Sequence, residues 1–258
     1  MSITQAVTGL NGLWWTLILI GPLVVLQRSL HRELQTVFFL LTRRPVLAIS
    51  LFSMLFFPGV LLHEGSHFLM AKLLGVRTLR VSLIPRPIKG GQKLQLGFVE
   101  TVSANPVKDA LIGFAPLITG MVAVGYIGLV RLDAAAVWSR MMSGGPAAFG
   151  GVFTGLLDRP DFWIWFYLAF VISSTMLPSA SDRQGWLPVG LLVAVGVGIA
   201  VLIGVGGTLF ARVAPPVNQA FSGVAAVLAV SLAIHVVCWF PVVLFRLILN
   251  WVTGLEVN

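Results

Sequence analysis

The chain has 258 residues, of which 57% are hydrophobic and 10% are charged. Soluble globular domains carry about 25% charged residues, so this composition excludes a soluble domain and indicates an integral membrane protein with the lipid bilayer as its surroundings. The formal net charge is +8, but the basic residues are scattered over many loops, so we expect no nucleic-acid partner. The single cysteine, Cys238, excludes an intrachain disulfide and a Cys-based zinc site.

Six apolar runs are long enough to cross a bilayer, which takes about 20 residues each. They lie at about 10–27, 45–74, 110–130, 162–181, 186–211 and 218–245. We therefore predict an all-α polytopic membrane protein with about six transmembrane helices, forming one integral membrane domain over residues 1–258. The first run has no basic residue before it, so we expect a retained span rather than a cleaved signal peptide.

The second run carries the most informative motif of the chain, His63-Glu64-Gly65-Ser66-His67. Two histidines four residues apart project from one face of a helix and can bind one Zn²⁺, and the glutamate between them can act as a general base on a zinc-bound water. Ionisable side chains in an apolar span are costly to insert and usually mark function. Because Pro58-Gly59 interrupts the run, we expect a kink or a new helix there, with the histidine helix beginning near Pro58 and capped by Gly75.

Residues 76–102, between the second and third spans, show a different pattern. Apolar residues alternate with polar ones on both sides of Gly90-Gly91, which predicts a β-hairpin. Such a hairpin can brace the helices, or its edge can receive an extended substrate by strand addition. In the second interpretation the substrate-binding residues are Leu94, Leu96 and Phe98. A second long loop, 132–160, is expected to contain a short interfacial helix.

A catalytic zinc usually has three protein ligands and one open position, so a third ligand must follow the two histidines. Asp182 is one candidate, because the proline and small residues of 173–181 predict a helix break just before it. An ordinary interfacial Asp182 paired with Arg183 explains the position equally well. His235 lies within the last span, and it is a second candidate ligand or a group of the substrate channel.

Three segments resemble the site-2 protease family of intramembrane zinc metalloproteases. The first is the histidine motif with its continuation to Gly75, the second is Gly113–Gly120, similar to the Gly/Pro motif on the family's central helix, and the third is Thr175–Asp182, similar to the motif that carries the family's third zinc ligand. The third segment departs from the family motif at Thr175, at Arg183 and in a spacing one residue shorter. The resemblance covers a core of about 45–185 and leaves 10–27, 186–211 and 218–245 as accessory spans.

The resemblance implies a zinc metalloendopeptidase that cleaves membrane-protein or membrane-anchored substrates in or near their transmembrane segments. His63, His67 and Asp182 would bind Zn²⁺, Glu64 would act as general base, and Thr119 would lie near the developing oxyanion. It also implies that the zinc end faces the cytosol, and the count of six spans then puts both termini there. The charges of the loops are balanced between the two sides and give no orientation.

A different class of function fits the same residues: a non-hydrolytic polytopic membrane protein with a structural zinc site or a metal-transport role. Glu64 distinguishes the classes, because a transporter or scaffold needs no free base beside its metal.

Overall fold

The computed structural model describes residues 10–83, 86–88, 93–95, 97–102 and 104–255. Its α-helices are α1 (Asn11–Thr42), α2 (Pro45–Leu73), α3 (Pro106–Tyr126), α4 (Ala134–Leu157), α5 (Phe162–Thr175), α6 (Trp186–Leu202) and α7 (Gly206–Thr253), and α3 continues into a π-helical turn, Ile127–Arg131. Between α2 and α3 lie the strands β1 (Thr78–Ser82), β2 (Arg86–Ile88), β3 (Lys93–Gln95) and β4 (Phe98–Thr101).

The predicted fold class is confirmed. Among the described residues, four helical stretches are long and apolar enough to cross a membrane: Asn11–Thr42, Pro45–Leu73, Pro106–Arg131 and Gly206–Thr253. The fourth and fifth predicted spans are the shorter apolar helices α5 and α6. The loop predicted at 132–160 is mostly the 24-residue helix α4, so its helix is longer than expected.

The predicted hairpin is confirmed as two antiparallel strand pairs, which together we call the ribbon. β1 pairs with β4 and β2 pairs with β3, with Ile88 opposite Lys93. The predicted turn residues Gly90-Gly91 lie outside the described residues. The ribbon returns the chain to the start of α3, close to where α2 ends.

The expectation that the histidine helix begins near Pro58 is wrong, because α2 is one helix that runs through Pro58 from Pro45. Proline is tolerated in membrane helices where neighbouring groups compensate for the missing hydrogen bond. Gly59 has a separate role here, since a Cβ at that position would overlap the Val171 carbonyl of α5. The predicted cap is confirmed: Gly75 has a φ of 67°, and the Val76 N–H bonds the Ala71 carbonyl 2.8 Å away.

Contacts along the helices define two ends of the bundle. The Arg43 end is where α1 turns into α2, and the Gly75 end is where α2 finishes and α3 begins. α5 runs in the same direction as α2, because the Tyr167 hydroxyl bonds the Leu55 carbonyl while Gly59 contacts Val171 further along. Both helices therefore deliver their C-terminal ends to the Gly75 end.

α7 runs parallel to α1, and this arrangement corrects the prediction that both termini lie at the zinc end. The Gly12 N–H bonds the Asn218 side chain at the Gly75 end, and Glu33 pairs with Arg246 further toward the Arg43 end. Thr253 therefore finishes α7 at the Arg43 end. The physical reason is the path of residues 186–217. This segment begins at the Gly75 end, where Gly185 contacts Ala110, and it ends there too, where Asn218 bonds Gly12. α6 therefore does not carry the chain across the bundle.

The centre of the bundle is a cluster of buried apolar side chains from α1, α2, α3, α5 and α7. Phe56 of α2 is fully buried, with ring centroids 4.7 Å from Phe52 and 5.6 Å from Phe170. In lipid there is little hydrophobic drive between helices, so close packing of this kind holds them together.

Phe56→Ala tests this packing. We expect a loss of about 3 kcal/mol in the free energy of unfolding, because the cavity left between α2 and α5 cannot be filled by lipid. The measurement is reversible unfolding in mixed micelles. Phe57→Ala is the matched control, since Phe57 is 44% exposed and its removal should have little effect. Equal losses from the two variants would contradict the packing described here.

Candidate metal centre

His63 and His67 lie one turn apart near the C-terminal end of α2, with ring centroids 4.9 Å apart. Their Nε2 atoms face the same carboxylate, that of Asp182. His63 Nε2 lies 3.6 Å from Asp182 Oδ2, and His67 Nε2 lies 3.3 Å from Asp182 Oδ1. The fold thus brings together the two histidines of the motif and Asp182, whose role as third ligand the sequence alone did not decide.

The three ligand atoms lie within 4.8 Å of one another. Zinc ligands at about 2.0–2.1 Å in tetrahedral geometry are separated by roughly 3.3 Å, so the two distances to Asp182 match a single shared cation. Two imidazoles and a carboxylate are a donor set that zinc accepts. All three side chains are largely buried, with exposed fractions of 14%, 9% and 11%.

The hydrogen bond of His67 fixes which of its nitrogens faces the cluster. His67 Nδ1 lies 2.8 Å from the Ile112 carbonyl of α3, and a carbonyl oxygen only accepts, so Nδ1 carries a proton. The neutral ring then presents an Nε2 lone pair to a carboxylate oxygen. Two buried acceptors this close repel each other unless a proton or a cation lies between them, and this is the physical case for a metal.

His63 is held less firmly than His67. Its Nδ1 is buried and makes no hydrogen bond within the described residues. A buried polar nitrogen without a partner is unusual and points to a group, such as water or an ion, that completes its surroundings. The fit to a bound metal ion comes from the two Nε2 atoms and the Asp182 carboxylate, which face one another.

Asp182 reaches the histidines because α5 ends at Thr175 and the chain is irregular up to Trp186, as the proline and small residues predicted. The Ser179 N–H donates to Asp182 Oδ2, whereas Arg183 donates to the Ser179 carbonyl and not to Asp182. The carboxylate thus accepts a hydrogen bond from the backbone and keeps its oxygens directed at the two histidines, an arrangement in which it can act as a metal ligand.

The Asp182 backbone packs directly against Gly113 of α3. A Cβ at residue 113 would overlap the Asp182 carbonyl oxygen, so only glycine lets the irregular segment approach α3 this closely. Gly113 begins the segment Gly113–Gly120 that resembles the Gly/Pro motif, but nothing in the sequence predicts its contact with Asp182.

Glu64 lies beside the cluster on α2 and is only 8% exposed. Its charge interacts with His63, His67 and Asp182. Gly97, which leads into β4, lies against its side chain, because a Cβ at residue 97 would be 2.9 Å from Glu64 Cγ. The hairpin is therefore in contact with the residue that the motif predicts to be the base.

The other predicted site residues have different surroundings. The Thr119 hydroxyl bonds the Ala115 carbonyl of its own helix, 2.9 Å away. Phe98 pairs with Ser82 in the β1–β4 ladder, Leu94 lies in β3, and Leu96 lies outside the described residues.

His235 is fully buried away from the three-residue cluster, with both ring nitrogens hydrogen-bonded. Its Nε2 lies 3.0 Å from the Ser174 hydroxyl and its Nδ1 lies 2.7 Å from the Ser231 carbonyl. The bond to Ser174 joins α7 to α5 and the bond to Ser231 lies within α7, which is the structural role expected of a lone histidine inside a helix bundle.

Comparisons of this chain with family models, with curated proteins and with solved structures return no match. The resemblance of its three segments to site-2 proteases therefore remains a prediction from the residues.

Gly113→Ala tests how Asp182 is positioned. We expect weaker zinc binding, because the added methyl group displaces the Asp182 backbone from α3 by overpacking. Isothermal titration of metal-free protein with Zn²⁺ measures the change. Gly21→Ala is the control, since nothing lies within 4 Å of a Cβ at that helical position. Wild-type zinc affinity in the Gly113→Ala protein would show that the contact between Gly113 and Asp182 does not position this ligand.

Proposed function

We propose that this protein is an intramembrane zinc metalloprotease that hydrolyses peptide bonds in or near the transmembrane segments of membrane proteins. The observation that supports the proposal most is the cluster of His63, His67 and Asp182, with Glu64 beside it on the same helix. Two imidazoles, one carboxylate and an adjacent second carboxylate form the set of groups that zinc-dependent peptide hydrolysis requires.

In this proposal the three ligands bind Zn²⁺, and Glu64 acts as general base and then as general acid. A bound Zn²⁺ lowers the pKa of water and polarises a carbonyl. Glu64 would accept a proton from the attacking water and pass it to the leaving amine. Its low exposure favours this role, because few bulk water molecules can compete for its oxygens.

The depth of the centre fits a membrane substrate. His63 lies 18 residues into α2, about 27 Å along the helix axis, and the hydrocarbon core is about 30 Å thick. The cluster would thus lie inside the membrane but near one of its surfaces, where water has a short path. Which surface faces the cytosol remains a prediction from the resemblance.

The hairpin offers a way to hold the substrate. A transmembrane helix hides its backbone in hydrogen bonds, so it must unwind before hydrolysis. β1 and β4 form a two-stranded ladder within the described residues, and Gly97 at its end touches Glu64. A peptide that added to this ladder as a strand would lie next to the base. We propose a membrane-anchored polypeptide as the substrate on this ground.

Glu64→Gln is the first test. We expect bound zinc to be retained and cleavage to fall roughly 100- to 10,000-fold, because the amide has the same shape but accepts no proton. The assay uses purified protein in vesicles with a panel of membrane-anchored peptides. Asp158→Asn is the control and should cleave normally, since Asp158 is exposed at the end of α4, outside the cluster and the hairpin. Undiminished cleavage by the Glu64→Gln protein would show that Glu64 is not the general base.

Asp182→Ala tests the third ligand. We expect zinc affinity to fall by more than the roughly 10- to 100-fold that loss of an outer-shell partner produces, because a direct ligand is removed. Elemental analysis and competition with a chelator measure the affinity. Asp161→Ala is the control, since Asp161 pairs with Arg131 at the Arg43 end. Equal zinc affinity in wild type and Asp182→Ala would exclude Asp182 as a ligand.

The same two variants separate the proposal from a structural or transport site. A structural site loses stability when Asp182 is removed but is indifferent to Glu64→Gln. A transporter moves zinc across vesicles, and it needs no base beside the metal. Stoichiometric zinc without Glu64-dependent cleavage would favour these functions over the protease.

A further inference from the structure

The hydrogen bond that orients His67 depends on a carbonyl that an ordinary helix would not leave free. In an α-helix the carbonyl of one residue accepts from the N–H four residues later. Ile112 lies within α3, and the residue four positions later is Pro116, which has no N–H. The Ile112 carbonyl therefore has no regular helical partner, and His67 Nδ1 occupies it at 2.8 Å.

We infer that Pro116 is a positioning residue of the metal centre, which acts by withholding an N–H from the Ile112 carbonyl so that this carbonyl fixes the tautomer and direction of His67. The inference rests on the proposed function only in taking the cluster as a metal site. Pro116 is fully buried in α3 and is not a ligand. Its effect on the metal passes through one backbone oxygen.

The neighbouring peptide unit makes this position more effective. Gly113 follows Ile112 directly, and the Asp182 backbone rests on it. Two consecutive residues of α3 therefore position two of the ligands. The Ile112 carbonyl orients His67, and Gly113 lets the Asp182 backbone pack closely against the helix. His63 has no such support, because its Nδ1 makes no hydrogen bond within the described residues. The geometry of the centre is set mainly by α3, on which no ligand lies.

Two other prolines inside helices lack this arrangement. Pro22 of α1 and Pro58 of α2 also lie inside their helices. They withhold N–H groups from the carbonyls of Ile18 and Met54, and within the described residues no side chain of another helix bonds to those two oxygens. Pro116 differs because a buried imidazole lies opposite the free carbonyl. This difference supplies the control for the experiment.

Pro116→Ala restores an N–H that competes with His67 for the Ile112 carbonyl. We expect zinc affinity to fall about tenfold, at the low end of the effect of losing an outer-shell partner, because the carbonyl can still accept a second, weaker bond. In the metal-free protein, ¹⁵N shifts of labelled histidines, read at a pH where the rings are neutral, should show less of the Nδ1–H form of His67. Pro22→Ala should change neither quantity.

A second replacement separates the N–H from the proline ring. Lactic acid in place of alanine at position 116 gives an ester, which has the small side chain but no N–H. We expect near wild-type zinc affinity and the wild-type tautomer of His67. If the ester and alanine replacements weaken zinc binding equally, the ring and its packing are responsible and the inference is overturned.

The outcomes also separate this inference from the proposed function. Pro116→Ala protein with wild-type affinity and an unchanged His67 spectrum would overturn the role of Pro116 and leave the protease proposal intact. Wild-type protein that binds no zinc would overturn the protease proposal. The tautomer of His67 in the metal-free protein would then decide the role of Pro116 alone.

Discussion

The candidate centre depends on the bond from His67 Nδ1 to the Ile112 carbonyl. That bond joins α2 to α3 and determines that Nε2 points at Asp182 with its lone pair. In a bundle surrounded by lipid, opposed lone pairs and an ionised carboxylate have no bulk water to separate them. A proton or a cation between them offsets this repulsion, and the close approach of the 176–185 segment to Gly113 keeps the three groups from moving apart.

Much of the fold follows from the composition and pattern of the chain. Long apolar runs predict helices, alternation around Gly90-Gly91 predicts the ribbon, and Pro178 with its small neighbours predicts the break before Asp182. The continuity of α2 through Pro58 was not predictable, since neighbouring helices decide whether a proline ends a membrane helix. The path of α6 was missed for a related reason. Its apolar character indicates lipid contact but not whether it crosses the bundle.

The site was predictable to the extent that its geometry is local. His63, Glu64 and His67 share one helix, so their spacing alone implies their proximity. Asp182 comes from a distant segment, and its assignment needed a resemblance to known proteases. The Ile112 carbonyl and the contact of Gly97 with Glu64 were missed, because every residue has a backbone and no side chain marks these two. The one readable signal was Pro116, four residues after Ile112.

The parallel pairing of α1 with α7 has a consequence for how the protein is made. Gly12 and Asn218, which bond each other, are 206 residues apart, so nearly the whole chain is synthesised before they meet. Glu33 likewise enters the membrane long before its partner Arg246 leaves the ribosome. An acidic group without a counter-ion is poorly tolerated in hydrocarbon, which favours a shallow position for α1 during biogenesis. We therefore expect α1 to take its final place only after α7 has been made.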